Sequence, residues 1–240
     1  MWDKIKIEKI LFLDIETVPV VYNFEDLSLV MQEHWALKSK YFRNNEISAK
    51  DVYEKAGIYA EFGKIICISV AFIIREKDKE PVLRIKSFTS HNEEDLLKSF
   101  KSLVLKSFNS DDKYLCAHNG KEFDFPFIAR RMLINGIKLP NILNMAGKKP
   151  WEVKHFDTLE LWKFGDYKHY TSLSLLSEIF SVQSSKDDID GSMVAKVYYE
   201  DENLERIKIY CEKDVLSLAQ IFLKMRCESL IQTQNIVFVN

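Results

Sequence analysis

Glycine and proline are scarce in this sequence, 7 and 5 among 240 residues. That composition excludes collagen-like and low-complexity chains. No uninterrupted apolar run of about 18 residues occurs, so no membrane span is expected. The N-terminal MWDKIKIEKILFLDIET starts basic and turns apolar, but acids interrupt it, and it is not read as a secretion signal. Charge of one sign is also lacking. A net charge of −2 gives no global basic field, so a nucleic-acid partner would need a local patch or metal ions. The 4 cysteines, Cys67, Cys116, Cys211 and Cys227, are far apart and form no CxxC pair. They read as reduced thiols, not as a disulfide framework or a zinc site, and the expected location is cytoplasmic. Glycine-rich nucleotide loops and a GxSxG elbow are absent.

What is present is a chain 47% hydrophobic and 29% charged, enough for one domain with a substantial core. Its most telling stretch is Leu11 to Pro19, LFLDIETVP. In a strand, residues two apart share a face, so Asp14 and Glu16 would project together. Two adjacent carboxylates resist ionising unless a positive charge lies between them. A divalent cation with oxygen ligands is the simplest such partner.

The remaining pattern predicts an α/β domain. Residues 8–14 form a first strand. Residues 21–60 read as a helical insertion, with one helix over about 26–40 and a second running from a Ser48 cap through Glu54. Strands follow at 63–75 and 82–89, then a helix over 92–108 capped by Asn92. A short strand covers 113–118 and a helix 125–135, which Asp124 can cap. A fifth short strand at 153–156 and helices at 172–180, 192–200 and 202–226 complete the order. The apolar tail IVFVN either docks as a strand or trails off. Absent repeats or linkers, residues 1–240 are expected to form a single domain.

Two further carboxylates can join the first pair. Asp124 sits in HNGKEFDFPFIARR after a strand, where helix capping alone would also explain it. Asp214 sits in YCEKDVLSLAQIF, one helical turn from Tyr210 and flanked by Ile209, Val215 and Leu218. A buried Asp there needs a partner.

Asp14-x-Glu16, Asp124 and Tyr210-x-x-x-Asp214, in this order and on these elements, resemble the three motifs of the DEDD, or DnaQ-like, exonucleases. Tyrosine in the third motif resembles the DEDDy branch. DIET, HNGKEFD, KDDIDG and YCEKD are most similar to stand-alone 3′–5′ exonucleases related to the proofreading domain of family-B DNA polymerases. The resemblance covers about residues 8–226. It implies a ribonuclease H-like fold, with a central mixed five-stranded sheet flanked by helices and the insertion between strands 1 and 2. It implies two divalent cations, Mg²⁺ or Mn²⁺, with Asp14 bridging both, Glu16 and Asp214 completing one site and Asp124 serving the other. The two ions would clamp the attacking and leaving oxygens of a phosphodiester displacement. Tyr210 would orient the attacking water, since a phenol of pKa about 10 is not a base at neutral pH.

The implied reaction releases nucleoside 5′-monophosphates from the 3′ end of single-stranded DNA. An exoribonuclease of the same fold and a non-catalytic module that binds nucleic acid or a protein partner are the alternatives. The 240 residues contain no polymerase segment, so proofreading would act in trans with replication or repair proteins, or the role is repair or salvage. Substrate contacts are expected from Thr17 and Val18 through backbone N–H groups, from Asn119, and by stacking on Phe123 or Phe125. Arg130, Arg131, Lys148, Lys149 and Lys154 around Trp151, and Lys163, Lys168 and His169 with Tyr167 and Tyr170, suit a single-strand track or a solvated face. Asp157, Asp187, Asp188 and Asp190 read as caps and turn residues, and His118 lies close to the second motif.

Overall fold

Ten residues, Ile10–Pro19, form strand β1 in the computed structural model, which describes residues 2–44, 46–166, 168, 170–183 and 188–239. Of the residues named above, Tyr167, His169 and Asp187 lie outside those described. The other strands are β2 (Gly63–Ile74), β3 (Val82–Thr89), β4 (Tyr114–Ala117), β5 (Phe156–Asp157) and β6 (Ile236–Val239). They form one sheet in the order β5-β4-β1-β2-β3-β6. The pairs β1–β2 and β2–β3 are antiparallel, a meander. β4 runs parallel to β1, β5 parallel to β4, and β6 parallel to β3. The sheet is mixed, as expected, but has six strands and not five. The sixth is the apolar tail, which adds to β3 from Leu83 opposite Ile236. Strand 1 is also longer than expected, reaching Pro19, and the insertion emerges directly from it.

Alternation along β1 divides the core. Leu11, Leu13 and Ile15 face helices α2 (Glu93–Ser107) and α3 (Asp124–Ile134), packing with Leu97, Phe100, Phe125 and Ile128. Ile10 and Phe12 face helix α7 (Leu204–Met225), meeting Val215, Leu218 and Phe222. Burial on both faces explains why the strand reads as a near-continuous apolar run. Asn92 caps α2 by accepting from the N–H groups of Glu94 and Asp95, at 3.0 and 3.4 Å. One buried ion pair ties α2 to α3. Arg131 Nε and Nη2 donate to Glu93 at 2.9 and 2.5 Å, and Arg131 Nη1 donates to Ala60 O at 2.9 Å. Arg131 therefore serves architecture and does not belong to a surface track.

The insertion folds around Trp35, which packs with Leu27, Val52, Tyr53, Ala56 and Phe62. Its first helix, α1, is Leu29–Ser39. Its second helical stretch, Lys50–Ile58, is 3-10 and not α. Ser48 and Asp51 bond reciprocally around its start, with Asp51 N–H donating to Ser48 Oγ and Ser48 N–H donating to Asp51, while Ala49 holds the cap position. Gly57 lets this stretch abut the end of β1, since a Cβ there would lie 3.3 Å from Pro19 Cδ. Three short helices, α4 (Thr158–Lys163), α5 (Leu173–Phe180) and α6 (Val194–Tyr199), precede α7, and residues 141–143 are among the short 3-10 turns.

Candidate active site

β4 ends at Ala117, and its last partner on β1 is Phe12, opposite Cys116. Beyond Phe12, β1 runs on without a parallel neighbour, and Asp14 and Glu16 lie at that opening. On its other side β1 stays paired, Asp14 opposite Ser69 and Glu16 opposite Cys67, until a register shift between Glu16 and Thr17. Such an irregularity bends a strand and re-aims the side chains beside it.

Three segments bring acids to this opening. Glu16 and Asp214 are each 8% exposed and Asp124 is 3% exposed. Burial pushes the Asp14 carboxyl well above its usual range, and Asp214 and Asp124 push it further. Glu16 is raised by burial, then by Asp14 and Asp214. Asp124 is pushed up to about 8, mainly by burial, with Asp157 and Asp214 adding to it, while the N–H of Ile15 opposes the shift by donating to it. The neighbours that raise these groups are other acids and thiols, so each carboxylate senses the others.

α7 packs across β1 through Ile207, Cys211 and Asp214, which share one helix face, while Ile209 points outward and is 46% exposed. Apolar flanks alone therefore overstated the burial around Asp214, whose own burial comes from its face of the helix. Tyr210 is half-buried and shares a side-chain hydrogen bond with Asp214. Burial and then Asp214 raise its phenol, so it keeps its proton at neutral pH.

The cluster includes a residue that motif reasoning passed over. Ligand atoms of Asp14, Glu16 and Cys211 all lie within 4.8 Å of one another. Cys211 Sγ–H donates to Asp14 Oδ2 at 3.3 Å. Burial raises the thiol well above its usual range, and its hydrogen bond makes Cys211 a donor to Asp14. The only available signal was its position between Tyr210 and Asp214, three residues before the latter. Buried, mutually repelling carboxylates with hard oxygen donors fit a divalent cation.

α3 begins at Asp124 itself, and Phe123 holds the cap position without a side-chain bond. Asp124 is thus the first helical residue facing β1 and not the cap. The preceding turn is set by Asp157, whose carboxylate accepts from the N–H groups of Asn119 at 2.9 Å and Lys121 at 3.1 Å. Asn119 adopts φ 63°, a left-handed conformation that Asn tolerates. The turn carries Phe123 to a cavity of about 440 Å³, whose walls include Glu16, Thr17, Lys55, Ile58 and Ser192. Thr17 and Phe123 therefore line the cleft. The side chains of Val18 and Phe125 do not, since both are fully buried, Val18 under α6 and Phe125 edge-on to His155. Strand alternation turns Val18 inward, and the α3 helix turns Phe125 into the core.

His118 pairs with Thr158 Oγ1 through Nδ1 and donates from Nε2 to Thr171 O, both at 2.9 Å. Burial lowers its pKa, which keeps it a neutral scaffold for the 170–171 segment. Tyr170 packs edge-on to it, 60% exposed, and its phenol is raised by burial, then by Asp157, Asp124 and Asp14. It stands beside the carboxylates, a placement that spacing alone did not single out. Asp188 is taken up by Arg206 at 2.7 Å, and Asp190 accepts from Ser192 N–H at 2.9 Å. No helix among the described residues is long and apolar enough to cross a membrane.

A solved structure titled as the family B DNA polymerase from the hyperthermophilic archaeon Pyrobaculum calidifontis matches 90% of this chain with a TM-score of 0.52 and 15% identity. At that identity the likeness speaks for the fold, and this chain spans only 24% of the polymerase chain. A family model described as the RNase_H superfamily matches residues 53–226, from inside the insertion to just past the end of α7. The match leaves out β1 with Asp14 and Glu16, but includes Asp124, Tyr210 and Asp214. With that model covering more than half of the chain, on a six-stranded mixed sheet flanked by helices, the chain belongs to the RNase_H superfamily.

Proposed function

We propose that residues 1–240 form a single metal-dependent 3′–5′ exonuclease of the DEDDy, DnaQ-like type, acting on single-stranded DNA. The observation that carries this reading is the cluster of Asp14 and Glu16 at the end of β1, with Asp214 and Asp124 near enough to raise the Asp14 carboxyl and Tyr210 hydrogen-bonded to Asp214. A nuclease-like fold calls for a nucleic-acid substrate, and the motifs narrow it to a 3′ end. Asp14, Glu16, Asp124 and Asp214 are the residues that would hold divalent ions, Mg²⁺ or Mn²⁺. When bound, such ions supply a water acidified for attack and offset the charge that builds on the phosphate.

The chain's own residues do the rest. Tyr210, protonated, positions the water by hydrogen bonding and takes no proton itself. Cys211 holds Asp14 by its hydrogen bond to Oδ2. Thr17 and Phe123 flank the cleft where the terminal nucleotide would lie, and Asn119 begins the turn that sets Phe123. Val18 can contribute only through its backbone.

The test is shortening of 5′-labelled single-stranded DNA and RNA with Mg²⁺, Mn²⁺ or EDTA, beside Asp14→Ala. A metal-dependent ladder receding from the 3′ end of DNA is expected, with Asp14→Ala slower by on the order of 10⁴-fold, roughly 5 kcal/mol on the barrier. Shortening of RNA alone would move the reading to an exoribonuclease. Equal inertness of wild type and variant on every substrate would leave a non-catalytic binding module.

A further inference from the structure

The insertion carries more surface than the carboxylates require. Lys55 lies at the cleft beside Glu16 and Phe123. Its ammonium stands 5.6 Å from the ring centroid of Phe42. Phe42 stacks on Tyr59 with centroids 5.9 Å apart and planes 9° from parallel. Lys38 then stands 4.9 Å from the centroid of Tyr59. A ladder of Lys55, Phe42, Tyr59 and Lys38 therefore crosses the insertion from the cleft to a second cavity. That outer groove, about 760 Å³, is lined by His34, Leu37, Lys38, Lys40 and Tyr41, with Glu61 as its acid. Tyr41 is 92% exposed.

The cations in this band differ from the insertion's other lysine in the same region. Lys50 is bound to Glu25 at 2.5 Å. Lys38, Lys40 and Lys55 have no carboxylate partner among the described residues, and Lys38 and Lys55 rest on ring faces. Ammonium groups held over aromatics keep their outer side free for an anion. A line of such cations ending at an open aromatic ring matches a chain of phosphates with exposed bases, the pattern that binds single strands without reading sequence. The insertion has its own core around Trp35, and Gly57 abuts Pro19.

We propose that the insertion is a track for single-stranded nucleic acid, carrying the nucleotides upstream of the 3′ end from the cleft along Lys55 and Lys38 to the groove at Lys40 and Tyr41. This rests on the exonuclease reading, which puts the 3′ end in the cleft.

The experiment measures binding of fluorescein-labelled dT 20-mer and dT trimer in EDTA, across a salt series, for wild type and for the triple variant Lys38→Ala, Lys40→Ala, Lys55→Ala. All three side chains lie at the surface, and a thermal melt checks the fold. Wild type should bind the 20-mer at least about tenfold more tightly than the trimer. The variant should lose that advantage, and its slope of log affinity against log salt for the 20-mer should shrink by about 2, the value for three phosphate contacts on a single strand. An unchanged slope and length advantage in the variant, or no length advantage in wild type, would overturn the track and leave the groove to a protein partner. Shortening of the 20-mer from its 3′ end by wild type with Mn²⁺ is scored separately. Its absence beside a length advantage that the triple variant loses would sink the exonuclease reading, and with it the direction of the track, and leave Lys38, Lys40 and Lys55 as a single-strand binding surface.

Discussion

Glu93 and Glu16 are equally buried, each 8% exposed, yet their surroundings are opposites. Glu93 accepts from Arg131, from Asn135 Nδ2 at 3.0 Å and from Ile65 N–H at 2.7 Å. Glu16 meets Asp14 and Asp214, and both drive its carboxyl up. A buried charge with a complete set of donors holds elements together. A buried group of like charges weakens the fold and makes sense where a cation supplies what the protein withholds. One fold thus contains a buried carboxylate met by a cation and a set of carboxylates that meet one another, and the second lies at the candidate site.

The contrast can be broken most directly at Arg131. Arg131→Ala leaves Glu93 buried and stripped of its cation, and should lower unfolding free energy by about 3–5 kcal/mol in urea titrations. A loss under about 1 kcal/mol, the scale of an exposed pair, would show that Glu93 does not depend on Arg131.

His155 offers a third solution, staying neutral. Its Nδ1 accepts from Leu115 N–H at 3.2 Å and its Nε2–H donates to Ile142 O at 2.7 Å. Burial lowers its pKa from 6.5 to about 4. The unfolded chain therefore binds the proton first as pH falls, so this contribution is complete above pH 6.5 and is lost toward pH 4. The pH dependence of wild-type stability, less that of His155→Gln, should show a drop of about 3 kcal/mol across that window. A difference that stays flat would mean that His155 is not held neutral by the fold.

The smallest expected effect tests the carboxylate cluster itself. Mn²⁺ or Mg²⁺ at 10 to 100 times its dissociation constant should raise wild-type stability by about 1–3 kcal/mol. Asp14→Asn should respond far less, and in EDTA it should be no less stable than wild type, since one of the repelling charges is gone. A variant that is destabilised in EDTA would mean that Asp14 is a structural residue.

The sequence displayed the site's linear parts better than its contacts. Asp14 and Glu16 were legible because strand alternation is local, and Tyr210 with Asp214 because a helical turn is local. Cys211 was not, because its partner Asp14 is 197 residues away. Asp124 was legible as a site carboxylate, with helix capping left open beside it; the Asp157 carboxylate organises the turn before it and α3 starts at Asp124. The insertion's second helix was visible from its capping residues, but its 3-10 form was not. The tail read as a strand or a trailing end alike, because the edge it joins, β3, lies far back in the chain.

That tail governs how the sheet meets other sheets. An open strand edge is a template for any extended chain, including a second copy of the same protein. At one border the sheet ends in β5, two residues long, too short to recruit much. At the other, β6 caps β3 over Leu83 to Lys86 and leaves only a four-residue strand outermost. Both borders are thus blunt. Loss of the last few residues would uncover Leu83 to Lys86 of β3, and the first symptom would be self-association through the sheet, far from the carboxylates.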